Sequence, residues 1–467
     1  MKDLHHSCQG ESHILVKKVC QDASYSSTSN TMSIAIVCDG HGGARYFRSD
    51  VGSRFAVDAT KECVRAFVSE IDVNLFKGKP FIQKKALSSE ASSNIYTKDT
   101  NVDKALRQLF SSIIYSWREK ITQHSQNTPL SAEEKSTIKA DYLSEFEKGI
   151  GIEKTYGCTL MCYVYTNHFW FAFHIGDGKC IAFNADGDWF EPIPWDEKCF
   201  LNKTTSLCDS SAIDEFRYCY CGDGNTPLAV FLGSDGIDDS FGVTENMVNF
   251  YVQILKLINK EGLETAVANI QETLPQLSRI GSKDDMSIAC IYDEVPLRKH
   301  AKQLVGWQRQ NIENQLKDVN NRILKYKDEI IRLRECDLSN QKLMIDYQYA
   351  KSDLLKASEL KHSLVSKWNK FSEELDGESY TPYNDEMGWE ESYQVKQEVT
   401  DANCPSTNVS NEANAIAEDS SANDTNEACC ENSKVDADVE LKNNETAENK
   451  EKSMTDMEET DKNVAAM

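Results

Sequence analysis

Several short apolar runs in this chain stop or start on aspartate. The run SIAIVC, residues 33–38, ends at Asp39, which opens Asp39-Gly40-His41-Gly42-Gly43. Asp177 follows FWFAFHIG, and Asp235 follows LAVFLGS with Asp239 four residues beyond. Asp284 and Asp285 come immediately before Met286 and the run SIACIY, while Asp22 precedes a Ser-rich, turn-like stretch. One aspartate at a strand end is an ordinary turn or cap residue. Strands of a sheet end on common edges, however, so several such carboxylates can converge on one cleft. Oxygen-only donors favour hard cations such as Mg²⁺ or Mn²⁺ over zinc. Two such ions about 3.5–4 Å apart can share a water, lower its pKa and direct the hydroxide at phosphorus. The glycines around Asp39 let a metal and its waters approach the backbone, and His41 is placed to give a proton to a leaving oxygen.

The elements that must position these groups occupy residues 1–295, where apolar runs alternate with helical stretches. Strands are predicted at 33–38, 158–165, 169–175, 179–184, 229–233 and 287–292. A helix is predicted after Gly43 on the spacing of Phe47, Val51, Phe55 and Ala59, and two more near 103–123 and 131–148. Residues 77–103 read as a polar loop. The segment Asn184-Ala185-Asp186-Gly187-Asp188 has its glycine too early for an EF-hand and reads as a hairpin turn.

Taken in order, the motifs resemble the metal-dependent type 2C family of Ser/Thr protein phosphatases. The matching residues are Gln21-Asp22, Asp39 to Gly43, Gly157-Cys158-Thr159-Leu160, Gly176-Asp177-Gly178, Ser234 to Asp239, and Lys283-Asp284-Asp285-Met286-Ser287. Each is short; together, in family order, they are specific. The resemblance implies an α+β fold of two packed antiparallel sheets flanked by helix pairs. It also implies two or three Mg²⁺ or Mn²⁺ ions. Asp39 would bridge two of them, with the Gly40 carbonyl on one and Asp235 and Asp284 on the other. Asp177 and Asp239 would form, with Asp235, a weaker third site. Asp22 is carried over as a further metal residue, His41 as the general acid, and Thr159 as structural. The chain departs from the family at two places. Gln21 stands where well-studied members carry a metal-associated Glu; Gln-Asp is a feature of the bacterial-like branch, and the amide lacks the charge. Lys17 stands where many members have a phosphate-binding Arg, with Lys18 beside it a nearly equal candidate, and either offers a point charge instead of a bidentate fork.

The activity expected is hydrolysis of phosphoserine or phosphothreonine esters on proteins. Two alternatives stand beside it: a pseudophosphatase scaffold, suggested by Gln21 and the long C-terminal extension, and a phosphoesterase for small substrates.

Beyond residue 295 the resemblance says nothing. Residues 296–375 are rich in Lys, Glu, Gln and Leu, and Ile312, Leu316, Val319, Ile323, Tyr326, Ile330 and Leu333 make an a/d seam. A coiled coil, a folded-back hairpin and a helical pair packed on the catalytic domain all fit, with self-association or partner docking as the expected role of 300–375. Residues 376–467 form an acidic, aperiodic tail expected to be disordered. The net charge of −24 resides mainly there: 372–467 holds 26 Asp and Glu against 6 Lys. Neither part is basic enough for nucleic-acid binding, and no apolar run reaches the roughly 18 residues needed to span a bilayer. The 16 cysteines, several in apolar strands, read as reduced thiols of a cytoplasmic protein. His5, His6 and Cys8, or Cys219 and Cys221, match no zinc module.

Overall fold

The computed structural model describes residues 1–85, 100–200, 203–336, 339–376 and 380–383. Two compact units divide the described chain after Gln308. Most of the expected acidic tail lies outside the described residues.

The first unit opens with β1 (Lys2–Cys8), α1 (Glu11–Leu15), β2 (Ala23–Thr28), β3 (Met32–Cys38), α2 (Ser49–Glu70) and β4 (Ile82–Lys84). A helical stretch follows: α3 (Asn101–Asn127), α4 (Ala132–Thr137), α5 (Ala140–Glu147) and α6 (Ile152–Thr155). Then come β5 (Leu160–Thr166), β6 (Trp170–Ile175), β7 (Lys179–Phe183), β8 (Trp189–Phe190), α7 (Ala212–Glu215), β9 (Arg217–Cys221) and β10 (Ala229–Gly233). The unit closes with α8 (Asp235–Phe241), α9 (Thr244–Glu261), α10 (Leu263–Ile280), β11 (Met286–Tyr292), α11 (Glu294–Lys299) and the start of α12 (Ala301–Arg334).

The strands form two sheets, ordered β1-β11-β10-β7-β8 and β2-β3-β5-β6-β9-β4, with antiparallel pairing throughout. Three apolar layers result. Ala35, Val37, Met161, Ala172, Ala182, Val230, Leu232 and Ala289 fill the space between the sheets. The alternate residues Ile34, Ile36, Cys38, Cys162 and Phe173 turn outward onto α2 and α3. On the far side Ile181, Phe231, Ile288 and Cys290 meet α9 and α10. Central strands buried on both faces read as unbroken apolar runs, which is why the sequence exposes them so clearly.

The edge strands were hidden for the opposite reason. β1 buries only Leu4 and Cys8 fully, and β2, ASYSST, was read as a turn. Their hydroxyls are paired where the sheets meet: Ser7 Oγ lies 2.8 Å from Ser24 Oγ and 2.6 Å from Ser287 Oγ, and Ser26 Oγ donates to Asp3 at 2.7 Å. Polar residues fit inside a sandwich where buried hydroxyls find partners; in β2 the buried Thr28 Oγ1 is the exception. The stretch expected as a loop at 77–103 contains β4 and the start of α3, with 86–99 outside the described residues. The helix expected at 131–148 is two short ones, α4 and α5. Residues 184–188 turn between β7 and β8, with Gly187 at φ +94°.

α3 begins on a capping box, Thr100 with Asp103. It buries Leu106, Phe110, Ile113, Trp117 and Ile121, and the Trp117 indole donates to the Gly52 carbonyl at 3.0 Å.

In the second unit the rest of α12 is joined by α13 (Gln341–Asp376). Arg309 donates to Ser372 Oγ at 3.4 Å and lies over Trp368, so the chain folds back as a hairpin. Ile312, Leu316, Val319, Ile323, Ile330 and Leu333 are buried. The seam is thus already covered within one chain. Among the described residues no helix is long and apolar enough to cross a membrane.

A methyl group at Gly52 would sit 1.9 Å from the Tyr156 carbonyl oxygen. Gly52→Ala therefore forces α2 off the sheet and lowers stability by about 1–3 kcal/mol, measured as a shifted urea midpoint at unchanged m-value.

Candidate metal centre

The aspartates stand where strands leave the sandwich at one edge. Asp39 follows β3, and its backbone is pinned in both directions: its N–H donates to Thr159 Oγ1 at 3.0 Å, and its carbonyl accepts from the Thr159 N–H at 2.8 Å. Thr159 is thus structural, as the resemblance implied. Gly40 pairs with Cys158 in an isolated bridge, and a methyl there would lie 2.4 Å from the Gln21 carbonyl oxygen. Asp177 follows β6 through Gly176, whose φ of +130° turns the chain sharply. Asp235 is the first residue of α8, and Asp284 and Asp285 lead into β11.

Carboxylate oxygens of Asp39, Asp177 and Asp235 lie within 4.8 Å of one another. Asp22 is buried behind them and is held by Ser234 and Ser287. Asp284 and Asp239 are exposed on the rim. Burial pushes the Asp39 carboxyl well above its usual range, helped by Asp22; burial and then Asp39 do the same to Asp235. Asp22 is raised by burial and by Asp285, and Asp177 and Asp239 are raised mainly by burial. Asp285 behaves oppositely. Burial acts to raise it, but the His13 imidazole 2.9 Å away and N–H bonds of 2.6 Å from Gln21 and Gly10 hold it below the ordinary range. It fastens the Gly10–Gln21 loop to the start of β11.

Beside the cluster, two buried oxygens have no hydrogen-bond partner: Gln21 Oε1 and Asp22 Oδ2. Gln21 is otherwise fully engaged, its amide nitrogen on Ser49 Oγ and its carbonyl accepting from Ser53 Oγ at 2.5 Å. Crowded carboxylates with unsatisfied oxygens beside them fit hard divalent cations.

His41 lies beside this cluster with Nε2 2.7 Å from Ser206 Oγ and its ring edge-on to Tyr46 at 4.8 Å. Burial lowers its pKa to about 4, against the opposing pull of Asp209. Lys17 is exposed, with a left-handed φ of 57°. The other candidate, Lys18, donates its ammonium to the Gly42 carbonyl at 3.0 Å and lies in the field of Asp285, Asp284 and Asp39. The left-handed turn at Lys17 directs its side chain and that of Lys18 to different places, which residue spacing does not reveal.

The sequence reading also missed His13, Tyr46 and the segment around Thr205 and Ser206. Thr205 Oγ1 accepts from the Gly176 N–H at 3.1 Å and donates to Asp196 at 3.0 Å. Arg217, buried, donates to the Gly176 carbonyl at 2.5 Å. No periodicity or motif marks these residues, because they act through loop contacts between distant parts of the chain.

A family model described as Protein phosphatase 2C matches residues 9–274. The chain belongs to the protein phosphatase 2C family. Family membership makes it a metal-dependent protein-serine/threonine phosphatase by class, with Mg²⁺ or Mn²⁺ as the metal. Among solved structures it is similar to the serine/threonine phosphatase Stp1 from Staphylococcus aureus, at 16% identity and TM-score 0.37 over 63% of this chain and 95% of that one. It is similar to the catalytic domain of the phosphatase PstP, crystallised with 2 manganese ions, at 13% identity and TM-score 0.35 over 62% and 96%. A sex-determining protein of C. elegans matches at 14% identity and TM-score 0.38, over 65% of this chain and 67% of that one. No curated protein matches the sequence.

A carboxylate raised in the folded state keeps a proton that the unfolded chain has already released, so stability falls as pH rises above the ordinary carboxylate value of 3.8. Thermal unfolding of the full chain in EDTA is expected to show this loss from mildly acid to neutral pH, and Asp39→Asn to reduce it. Saturating Mn²⁺ at neutral pH restores about 2.7 kcal/mol at 100 times its Kd. A metal-free melting temperature that climbs over the same range contradicts the arrangement.

Proposed function

We propose that this phosphatase hydrolyses phosphoserine and phosphothreonine esters on proteins at the cleft lined by Asp39, Asp177 and Asp235. The approach of those three carboxylates within 4.8 Å carries the reading. Asp39 and the Gly40 carbonyl would hold one ion, and Asp235 and Asp284 a second. Asp177 and Asp239 would serve, with Asp235, a third. Asp22 would steady the centre, and the free Gln21 Oε1 would be open to a water at the metals. Bound Mg²⁺ or Mn²⁺ supplies a hydroxide at neutral pH and neutralises phosphate oxygens. Lys18, in place of Lys17, offers the phosphate a point charge. His41 protonates the ester oxygen as the P–O bond breaks.

The site has what turnover needs: its carboxylates, its histidine and two unsatisfied oxygens. This favours an active enzyme over the scaffold alternative. Residues 300–375 we assign to partner docking, since the a/d seam of α12 is already buried within one chain. The 13 free thiols among the described residues suit a cytoplasmic, signalling role.

The deciding assay is phosphate release from a phosphothreonine peptide by the full chain, in Mn²⁺, in Mg²⁺ and in EDTA. Release is expected only with metal. Asp39→Asn and Asp235→Asn are each expected to lower kcat/KM by at least about 100-fold with unchanged circular dichroism. A folded chain that releases nothing with either metal returns the scaffold reading to the front.

A further inference from the structure

Ser206 sits 2% exposed in a loop whose sequence suggests no role, yet it touches the proposed general acid. Its hydroxyl is 2.7 Å from His41 Nε2, 3.0 Å from the Cys158 carbonyl oxygen, 3.1 Å from Cys208 Sγ and 3.3 Å from the Cys208 N–H. A hydroxyl has one hydrogen to give and two lone pairs to receive. In the charged imidazolium both ring nitrogens carry hydrogen, so Ser206 must accept from Nε2. Its own hydrogen then has a place to go, because the Cys158 carbonyl only accepts. The second lone pair goes to Cys208, through its N–H or its thiol. Every group in this chain of contacts is satisfied when His41 is charged, and all of them stay satisfied when it loses the proton on Nδ1.

Other contacts hold the pair still. The Ser206 N–H donates to Asp209 Oδ2 at 3.0 Å, and Asp209 is paired with Lys154 at 2.7 Å. Leu207 N–H also binds the Cys158 carbonyl, at 3.0 Å. Around the ring, Tyr46 stands edge-on, and a methyl at Gly157 would be 2.9 Å from His41 Cδ2 and 2.7 Å from the Tyr46 ring. The imidazole therefore has little freedom to turn over. Among the described residues no hydrogen bond engages Nδ1.

Resting on the reading of His41 as general acid, we propose that Ser206 is a positioning residue that keeps Nε2 protonated and turned away, leaving Nδ1 to protonate the leaving oxygen. As the attacking water oxygen bonds to phosphorus, the P–O bond to the side chain breaks. The bonding pair goes to the seryl or threonyl oxygen, which takes the Nδ1 proton. His41 is left neutral, with Nε2–H still on Ser206, and regains its proton from solvent.

A leaving group that needs no proton separates this role from a structural one. Ser206→Ala is expected to lower kcat for a phosphothreonine peptide, within the about 10²–10⁴-fold that a positioned general acid contributes. It is expected to leave kcat for p-nitrophenyl phosphate, KM and the Mn²⁺ requirement nearly unchanged. Ser206→Thr, which keeps the hydroxyl, restores peptide turnover. Equal losses on both substrates, or no loss on either, overturn the proposal. His41→Gln run in parallel distinguishes the failures. If it too lacks the substrate split, the general-acid reading falls and takes this inference with it. A split in His41→Gln without one in Ser206→Ala overturns the role of Ser206 alone.

Discussion

Carboxylates packed together repel one another, and burial sharpens that repulsion by removing the water that would screen it. A pair of charges 4 Å apart costs roughly 4 kcal/mol at an effective dielectric of about 20. The chain places Asp22, Asp39, Asp177 and Asp235 at one edge of the sandwich and leaves two nearby oxygens unsatisfied. Such an arrangement holds together in only two ways: the carboxyls keep protons, or cations replace them. The remainder of the first unit can be understood as the framework that withstands this local cost. Two sheets buried on both faces, with helix pairs outside, supply the apolar area.

The framework also explains why the backbone around the cleft is so restricted. Asp39 is locked to Thr159 through two hydrogen bonds, Gly40 admits no side chain against Gln21, and Gly176 turns in a conformation that favours glycine. Asp285 carries out a quieter task. Its charge is stabilised by His13 and two backbone N–H groups, which ties the loop bearing Lys18 and Gln21 to the strand that follows Asp284. One aspartate of the adjacent pair thus joins chain segments while its neighbour stays exposed.

How much of this was legible in the sequence depended on the kind of force involved. Burial on two faces writes itself as unbroken apolar runs, so β3, β5, β6, β10 and β11 could be read, and with them the aspartates at their ends. Partial burial with paired hydroxyls leaves no such trace, and β1 and β2 were missed. Backbone handedness is invisible too: spacing left Lys17 and Lys18 both open, and the left-handed backbone at Lys17 separates the two side chains. Ser206 and Thr205 carry no signal, since their meaning lies in partners more than a hundred residues away or across a loop. The a/d seam of α12 was legible, but its occupant was not, because a heptad pattern fits a folded-back helix as well as a second chain.

Cys38 directly precedes Asp39, and Cys158 faces Gly40 across the bridge; both are fully buried, and burial raises both thiols well above their ordinary range. A buried, protonated thiol does not react with alkylating reagents until the structure around it opens. Anything bound between the strands beside them holds that structure closed. The rate at which these two cysteines are alkylated is therefore a built-in clock for the breathing of the metal edge, and its slowing measures cation occupancy without any engineered label.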